Sequence, residues 1–241
     1  MLGLASKRGS SFLRHCQYLR NASTVTLTKN RPVYQIVGAN TDIGKTVISS
    51  GLCLTYLQRK EIPSYIKPIQ TGPTSDAAFI LDQVARFSKA EPETIDQLKV
   101  QTLYGFGSPV SPHVAAEQDG NIVSDKDIIA SIEAALREET AGPASAVLLE
   151  GAGGVLSPGP SGTPQADLFR ALRLPCLLVG DGRLGGISAT AAAREALLLR
   201  GYSVPVLITI RDAGDLDLGH EEYFRRRLAG PAAAWEGAGE D

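Results

Sequence analysis

"VGANTDIGKTVISSG", residues Val37–Gly51, decides how the rest of the chain is read. It continues the β-branched apolar run "VYQIVG" (Val33–Gly38), and from Lys45 to Arg59 the apolar residues Val47, Ile48, Leu52, Leu54 and Leu57 recur at helical spacing. Strand, glycine-rich turn and helix form the setting of a phosphate-binding loop, whose usual pattern is Gly, four residues, then Gly-Lys-Ser/Thr. Gly44, Lys45 and Thr46 supply the end of that pattern, but Ala39 stands at its first position and Gly38 lies one residue further back. Alanine is small enough for the place if its φ stays negative, and Gly38 lets the strand turn sharply. Backbone N–H groups at a helix N-terminus attract phosphate oxygens, and Lys45 can reach the outer phosphates. The Thr46 hydroxyl suits Mg²⁺. A chance Gly-Lys-Thr is the rival reading, and the flanking strand and helix argue against it.

A magnesium nucleotide site needs hard oxygen ligands, so carboxylates are expected at other strand ends. Glu150 closes the apolar run "SAVLLE" before the turn "GAGG" (Gly151–Gly154), where an unpartnered carboxylate would be costly to bury. Asp76 follows a second strand, "SYIKPI" (Ser64–Ile69), with a helix N-cap role as its equally weighted alternative. Lys67 lies inside that strand, before Pro68, and is expected to emerge at the carboxyl edge near the phosphates. Its alternative is a lysine protecting a sheet edge. Thr71 follows on the same loop, and His113, in "SPVSPHVAA", reads more readily as structural or solvated than as a substrate contact.

Further outward, "SDAAFILDQVARFS" (Ser75–Ser88) reads as a helix, and a Ser-Asp-Lys-Asp start at Ser124 caps another running to about Thr140. "SAVLLEG" (Ser145–Gly151), "PCLLVG" (Pro175–Gly180) and "SVPVLITI" (Ser203–Ile210) read as buried strands, with a small-residue helix from about Ile187 to Arg200. The alternation predicts an α/β fold: a P-loop NTPase-like, mostly parallel sheet with helices on both faces.

Composition bounds the partners. The 241 residues suit one domain, and a net charge of −2 offers no basic surface for nucleic acid or membranes. No apolar run reaches the roughly 18 residues of a spanning helix. Cys16, Cys53 and Cys176 are scattered and odd in number, and read as reduced thiols of an intracellular protein. From Met1 to Thr41 there is no Asp or Glu, while Lys7, Arg8, Arg14, Arg20, Lys29 and Arg31 stand among serines. That composition predicts an organelle transit peptide over residues 1–30, mitochondrial in preference to plastid, against a disordered basic arm. Residues 31–228 are expected to form the domain, and 229–241 a low-complexity tail or truncated end.

Taken in order, these stretches resemble dethiobiotin synthetase, an ATPase of biotin synthesis with an atypical phosphate loop. The family's Gly-Thr-Asp-Thr-x-x-Gly-Lys-Thr corresponds to "GANTDIGKT", its Lys-Pro strand end to "YIKPIQTG", and its Ser-Asp-Ala to "SDAA". Its Ser-Pro-His corresponds to "SPVSPH", its Glu-Gly-Ala-Gly-Gly to "EGAGG", and a later turn to "LGGIS" (Leu184–Ser188), so the likeness runs from about Tyr34 to Ile210. The resemblance implies closure of 7,8-diaminopelargonate with CO₂ or bicarbonate to dethiobiotin, using ATP and Mg²⁺, through a carbamate and its mixed anhydride with phosphate. It implies that Gly38, Asn40, Thr41, Asp42, Ile43, Gly44, Lys45, Thr46, Val47, Glu150 and Gly153 hold the nucleotide. Thr46, Asp76 and Glu150 would bind Mg²⁺; Lys45 and Lys67 would steady the transferring phosphoryl group, and Thr41 and Thr71 would orient the carbamate. In the family the substrate tail crosses a two-fold interface, so Arg183, Gly185, Gly186 and Ile187 would serve the neighbouring subunit of a homodimer.

Three features depart from the family: "ITIRD" stands where an adenine-contacting Asn is usual, Ser188 replaces a common Asn, and the chain stops where a further nucleotide-binding loop and strand are expected. The short "QTGPTSDA" loop is closest to the eukaryotic fused enzymes, in which the synthetase precedes a diaminopelargonate aminotransferase. The chain is therefore expected to be the synthetase part of such a protein, or a truncated form. The competing readings are a partitioning-type ATPase switch, whose second loop lysine is lacking at positions 39–43, and an inactive pseudoenzyme.

Overall fold

The computed structural model describes residues 31–210 and 218–228. The expected transit peptide and the expected tail lie outside the described residues, as does Cys16. The chain begins with β1 (Val33–Gly38), α1 (Lys45–Gln58), β2 (Pro63–Thr71) and α2 (Asp76–Phe87). A single helical turn, α3 (Pro92–Ile95), leads to β3 (Lys99–Phe106), α4 (Pro112–Gln118), α5 (Asp125–Ala141) and β4 (Ala146–Glu150). Then come α6 (Gln165–Leu168) with a 3-10 turn (Phe169–Leu172), β5 (Cys176–Gly180), α7 (Gly186–Leu199), β6 (Val206–Thr209) and α8 (His220–Leu228).

The strands form one sheet in the order β3-β2-β4-β1-β5-β6, and every pairing is parallel. Parallel strands covered on both sides carry unbroken apolar runs, and β4 and β5 are buried at every position. Alternate residues feed opposite layers. Ile36, Tyr65, Leu148 and Leu177 pack with Ile48 and Leu52 of α1 and Ile80 and Val84 of α2. Their neighbours Ile66, Val147 and Leu149 pack with Ile128 and Ile132 of α5, while Val37 and Leu178 meet Ala193 and Leu197 of α7. The expected α/β architecture is thus observed. Among the described residues no helix is long and apolar enough to cross a membrane.

The expected cap at Ser124 forms, and a second stands at Ser75. Ser75 Oγ accepts from Ala78 N at 3.2 Å, and Ser124 Oγ from Asp127 N at 3.2 Å. Each such cap stabilises its helix by about 1 kcal/mol. Besides the short helices α3, α4 and α6, two longer elements escaped the periodicity argument. β3 pairs on one side only and is half-buried along most of its length, so its apolar signal is shallow. The charged helix α8 buries only His220 and Phe224. The last strand is shorter than expected, beginning after Pro205, which has no N–H for the ladder.

Because every strand points the same way, β1, β2, β4 and β5 deliver their carboxyl ends to one edge. Register makes this specific: Ile36 lies opposite Glu150, and Ile66 opposite Leu149, so Lys67 and Glu150 are brought together from neighbouring strands.

Candidate active site

The phosphate loop spans the end of β1 and the start of α1. Gly44 caps α1 in the left-handed region with φ 90°, where an added Cβ would also overlap Ile210 Cδ1. Asp42 takes a positive φ of 54°. Ala39 keeps an ordinary φ, as expected, and its N–H is taken by Val179 O at 2.9 Å. The role of Gly38 differs from the expected turn. Its φ is not positive; an added Cβ would lie 2.9 Å from both Asn40 O and Lys45 Cδ, so glycine is required by close approach.

Lys45 folds back over that glycine and donates to Asn40 O at 3.2 Å. Burial, reinforced by the charge of Lys67, lowers its pKa to about 8 against the opposing pull of Glu150, Asp76 and Asp42. Asn40 Oδ1 accepts from Thr41 N at 2.8 Å, and both residues are open to solvent. Ile43 turns into the core, so only its backbone faces the loop, while Val47 is exposed.

Glu150 is the centre of the site and is fully buried. Its Oε1 accepts from Thr46 Oγ1 at 2.9 Å and from Lys67 Nζ at 2.9 Å, and its Oε2 accepts from Ser49 Oγ at 2.6 Å. Lys67 Nζ also meets Asp76 Oδ2 at 2.6 Å and donates to Gly151 O at 3.1 Å. Burial works against the charge of Lys67, but the Glu150 and Asp76 carboxylates outweigh it and hold its pKa above the ordinary lysine value. The edge-strand alternative for Lys67 fails, because β2 is paired on both sides. The capping alternative for Asp76 fails too: Ser75 is the cap, and Asp76 N is held by Gln70 Oε1 at 3.3 Å.

The turn after Glu150 closes against the loop. An added Cβ at Gly154 would lie 3.2 Å from Ala39 O, and one at Gly153, whose φ is 69°, would lie 3.4 Å from Thr41 Oγ1. Thr71 ends β2, half-buried. His113 sits in the first turn of α4, its Nδ1 buried and without a hydrogen-bond partner among the described residues.

Arg183 and Gly185 lie between β5 and α7, and Gly186 and Ile187 open α7. Arg183 is mostly exposed, and it donates through Nε at 2.8 Å and Nη2 at 2.7 Å to the buried carboxylate of Asp181. The Arg183 hydrogen bond is the main reason the Asp181 carboxyl is held below its ordinary pKa. Sequence reasoning passed over Ser49, Gln70 and Asp181. The only signal was a carboxylate directly after the apolar run "PCLLVG", the same reasoning that had singled out Glu150.

The donor set suits Mg²⁺. The Asp76 and Glu150 carboxylates converge on one ammonium group, and the Thr46 hydroxyl adjoins Glu150. Mg²⁺ commonly takes one or two carboxylates and completes its shell with phosphates and water. Among the described residues no group of three or more His, Cys, Asp or Glu gathers.

A parallel sheet with a phosphate loop after β1 and a buried carboxylate ending the adjoining β4 defines a P-loop α/β protein. Residues 33–225 match the family described as AAA domain. The chain is 40% identical over 204 residues to a bifunctional dethiobiotin synthetase/adenosylmethionine-8-amino-7-oxononanoate aminotransferase of Emericella nidulans, covering 83% of this chain and 24% of that protein. It is 39% identical to the bifunctional dethiobiotin synthetase/7,8-diamino-pelargonic acid aminotransferase, mitochondrial, of Oryza sativa, covering 82% of this chain and 30% of that protein. A single-function relative, the ATP-dependent dethiobiotin synthetase of Methylobacterium nodulans, is 32% identical, with 67% of this chain and 73% of that protein covered. The chain belongs to the dethiobiotin synthetase family. It spans about a quarter to a third of the length of the two bifunctional relatives.

Proposed function

We propose that this chain catalyses the ATP- and Mg²⁺-dependent closure of 7,8-diaminopelargonate with CO₂ or bicarbonate to dethiobiotin. The observation that carries the reading is the position of Lys67. A strand-borne lysine, 22 positions beyond the loop lysine Lys45 in sequence, shares Glu150 with Thr46 of the phosphate loop. A partitioning-type switch carries its second lysine in the phosphate loop and gains nothing from one on a neighbouring strand, whereas transfer of phosphate to a carbamate creates negative charge on both sides of the transferring group.

In this reading Lys45 steadies the outer phosphates, and Lys67 steadies the carbamate and the oxygens of the mixed anhydride formed from it. The second amine of the substrate then attacks the anhydride carbon, phosphate leaves, and the cyclic urea closes. Thr41 and Thr71 orient the carbamate-bearing end, and the backbone from Gly38 to Val47 with Gly153 lines the phosphate side. Thr46, Asp76 and Glu150 would hold Mg²⁺, which neutralises phosphate charge when bound. Positioning and charge neutralisation supply the rate, so the residues need hold geometry only.

The wider proposal is a homodimer in which Arg183, Gly185, Gly186 and Ile187 complete the neighbour's site. It also includes mitochondrial residence and linkage to a diaminopelargonate aminotransferase; the relatives' names and the acid-free first residues support both. The test is incubation of the protein with ATP, Mg²⁺, bicarbonate and 7,8-diaminopelargonate, with mass spectrometry for dethiobiotin and a coupled assay for ADP. Diamine-dependent dethiobiotin is expected. ATP hydrolysis indifferent to the diamine would instead mark a switch, and failure to bind nucleotide an inactive subunit.

A further inference from the structure

Ser49 sits one helical turn beyond Thr46 on α1, fully buried, and is not part of the nucleotide or metal set proposed above. Hydroxyl side chains inside helices commonly bond back to the carbonyl four residues earlier. Ser50 and Thr55 on the same helix do so: Ser50 Oγ donates to Thr46 O at 2.7 Å, and Thr55 Oγ1 to Gly51 O at 2.7 Å. Ser49 departs from that habit and donates across 101 positions of sequence to Glu150 Oε2 at 2.6 Å.

The consequence for Glu150 is a fixed orientation. A glutamate χ3 is a soft, broad torsion, so a carboxylate at a strand end can swing unless both oxygens are held. Thr46 of the phosphate loop and Lys67 converge on Oε1, while Ser49 takes Oε2. A hydroxyl has a single proton to donate, and Ser49 commits it to the fully buried Glu150 carboxylate.

We propose that Ser49 is a positioning residue that locks the Glu150 carboxylate with Oε1 turned to the metal–phosphate side. This inference rests on the reading of Glu150 as a metal ligand. Outer-sphere partners of metal-binding carboxylates commonly set metal affinity by about 10- to 100-fold.

The probe is Mn²⁺ binding to the full chain saturated with a non-hydrolysable ATP analogue, read from the electron paramagnetic resonance of free Mn²⁺. Affinity for the analogue is measured separately in EDTA. Ser49→Ala is expected to weaken Mn²⁺ binding about 10-fold while analogue affinity in EDTA stays at the wild-type value. Ser49→Cys, with a weaker donor in a similar volume, is expected to fall between the two and carries the comparison if the alanine variant is unstable. Wild-type Mn²⁺ affinity in Ser49→Ala, or an equal loss of analogue binding in EDTA, would overturn the inference. Glu150→Gln separates the two readings. If it weakens Mn²⁺ binding and Ser49→Ala does not, only the positioning role fails; if it leaves Mn²⁺ binding unchanged, the metal-ligand reading fails and the positioning role with it.

Discussion

Replacing Lys67 with methionine removes a buried cation while keeping most of its volume. Its partner Glu150 is fully buried and 2.9 Å away, whereas the second partner, Asp76, keeps about a quarter of its side chain in water. Leaving one member of a buried ion pair behind costs about 3–5 kcal/mol. Thr46 and Ser49 still donate to Glu150, and water can reach Asp76, so the lower end, about 3 kcal/mol, is the expected loss. For a domain of this size that lowers the melting temperature by about 6–12 °C. Glu150→Gln alone should cost less, about 1–3 kcal/mol, because Lys67 retains Asp76. The double variant Lys67→Met/Glu150→Gln should be more stable than the sum of the single effects predicts, by about 2 kcal/mol. The assay is scanning calorimetry on nucleotide-free protein in EDTA at pH 7. A Lys67→Met protein melting within about 2 °C of wild type, or strict additivity in the double variant, would refute the claim that this pair is a buried, coupled unit. It also follows that loss of product in a Lys67 variant reports on chemistry only where the variant is shown to be folded.

Further expectations concern other parts of the fold. Tyr65 is wholly buried and its hydroxyl makes no hydrogen bond of ordinary geometry among the described residues, and burial with the nearby Glu150 charge raises its pKa. Tyr65→Phe should therefore stabilise the protein by about 1 kcal/mol in urea unfolding; a destabilised variant would show that the hydroxyl has a partner. Gly38→Ala places a Cβ 2.9 Å from Asn40 O and should cost about 1–3 kcal/mol, seen as a lower melting point together with weaker ATP binding by calorimetry. Burial pushes the Cys53 and Cys176 thiols up to about 12. In a Cys16→Ser background neither should react with a disulfide reagent at pH 8 until the protein unfolds, and rapid native labelling would contradict their burial. Since both folded-state values lie above the ordinary thiol value of 9.0, the stability they contribute is present below about pH 9 and is lost as pH rises toward 12.

What could be read along the chain was whatever its own neighbours dictate. The phosphate loop, the strand ending in Glu150, the lysine inside β2 and the cap at Ser124 are local patterns, each set by backbone geometry or by the cost of burying a charge. Edge strand β3 and the charged helix α8 were harder, because half-burial weakens the periodicity on which such reading depends. Ser49 and Gln70 carry no local mark of function; a serine in a helix of small residues looks the same whether it bonds its own backbone or a distant carboxylate.

By itself, then, the sequence determined the class of fold, the kind of ligand its first turn accepts, and which charged residues needed an explanation. Tertiary structure alone decided how those residues pair. The β1–β4 and β2–β4 registers set Lys67, Thr46 and Ser49 around one carboxylate, and close approach rather than a turn made Gly38 necessary. The physical reason is that a parallel sheet joins strands far apart in sequence through crossover helices. The partners of Glu150, 83 to 104 positions away, are fixed by strand order and register, which no local pattern records.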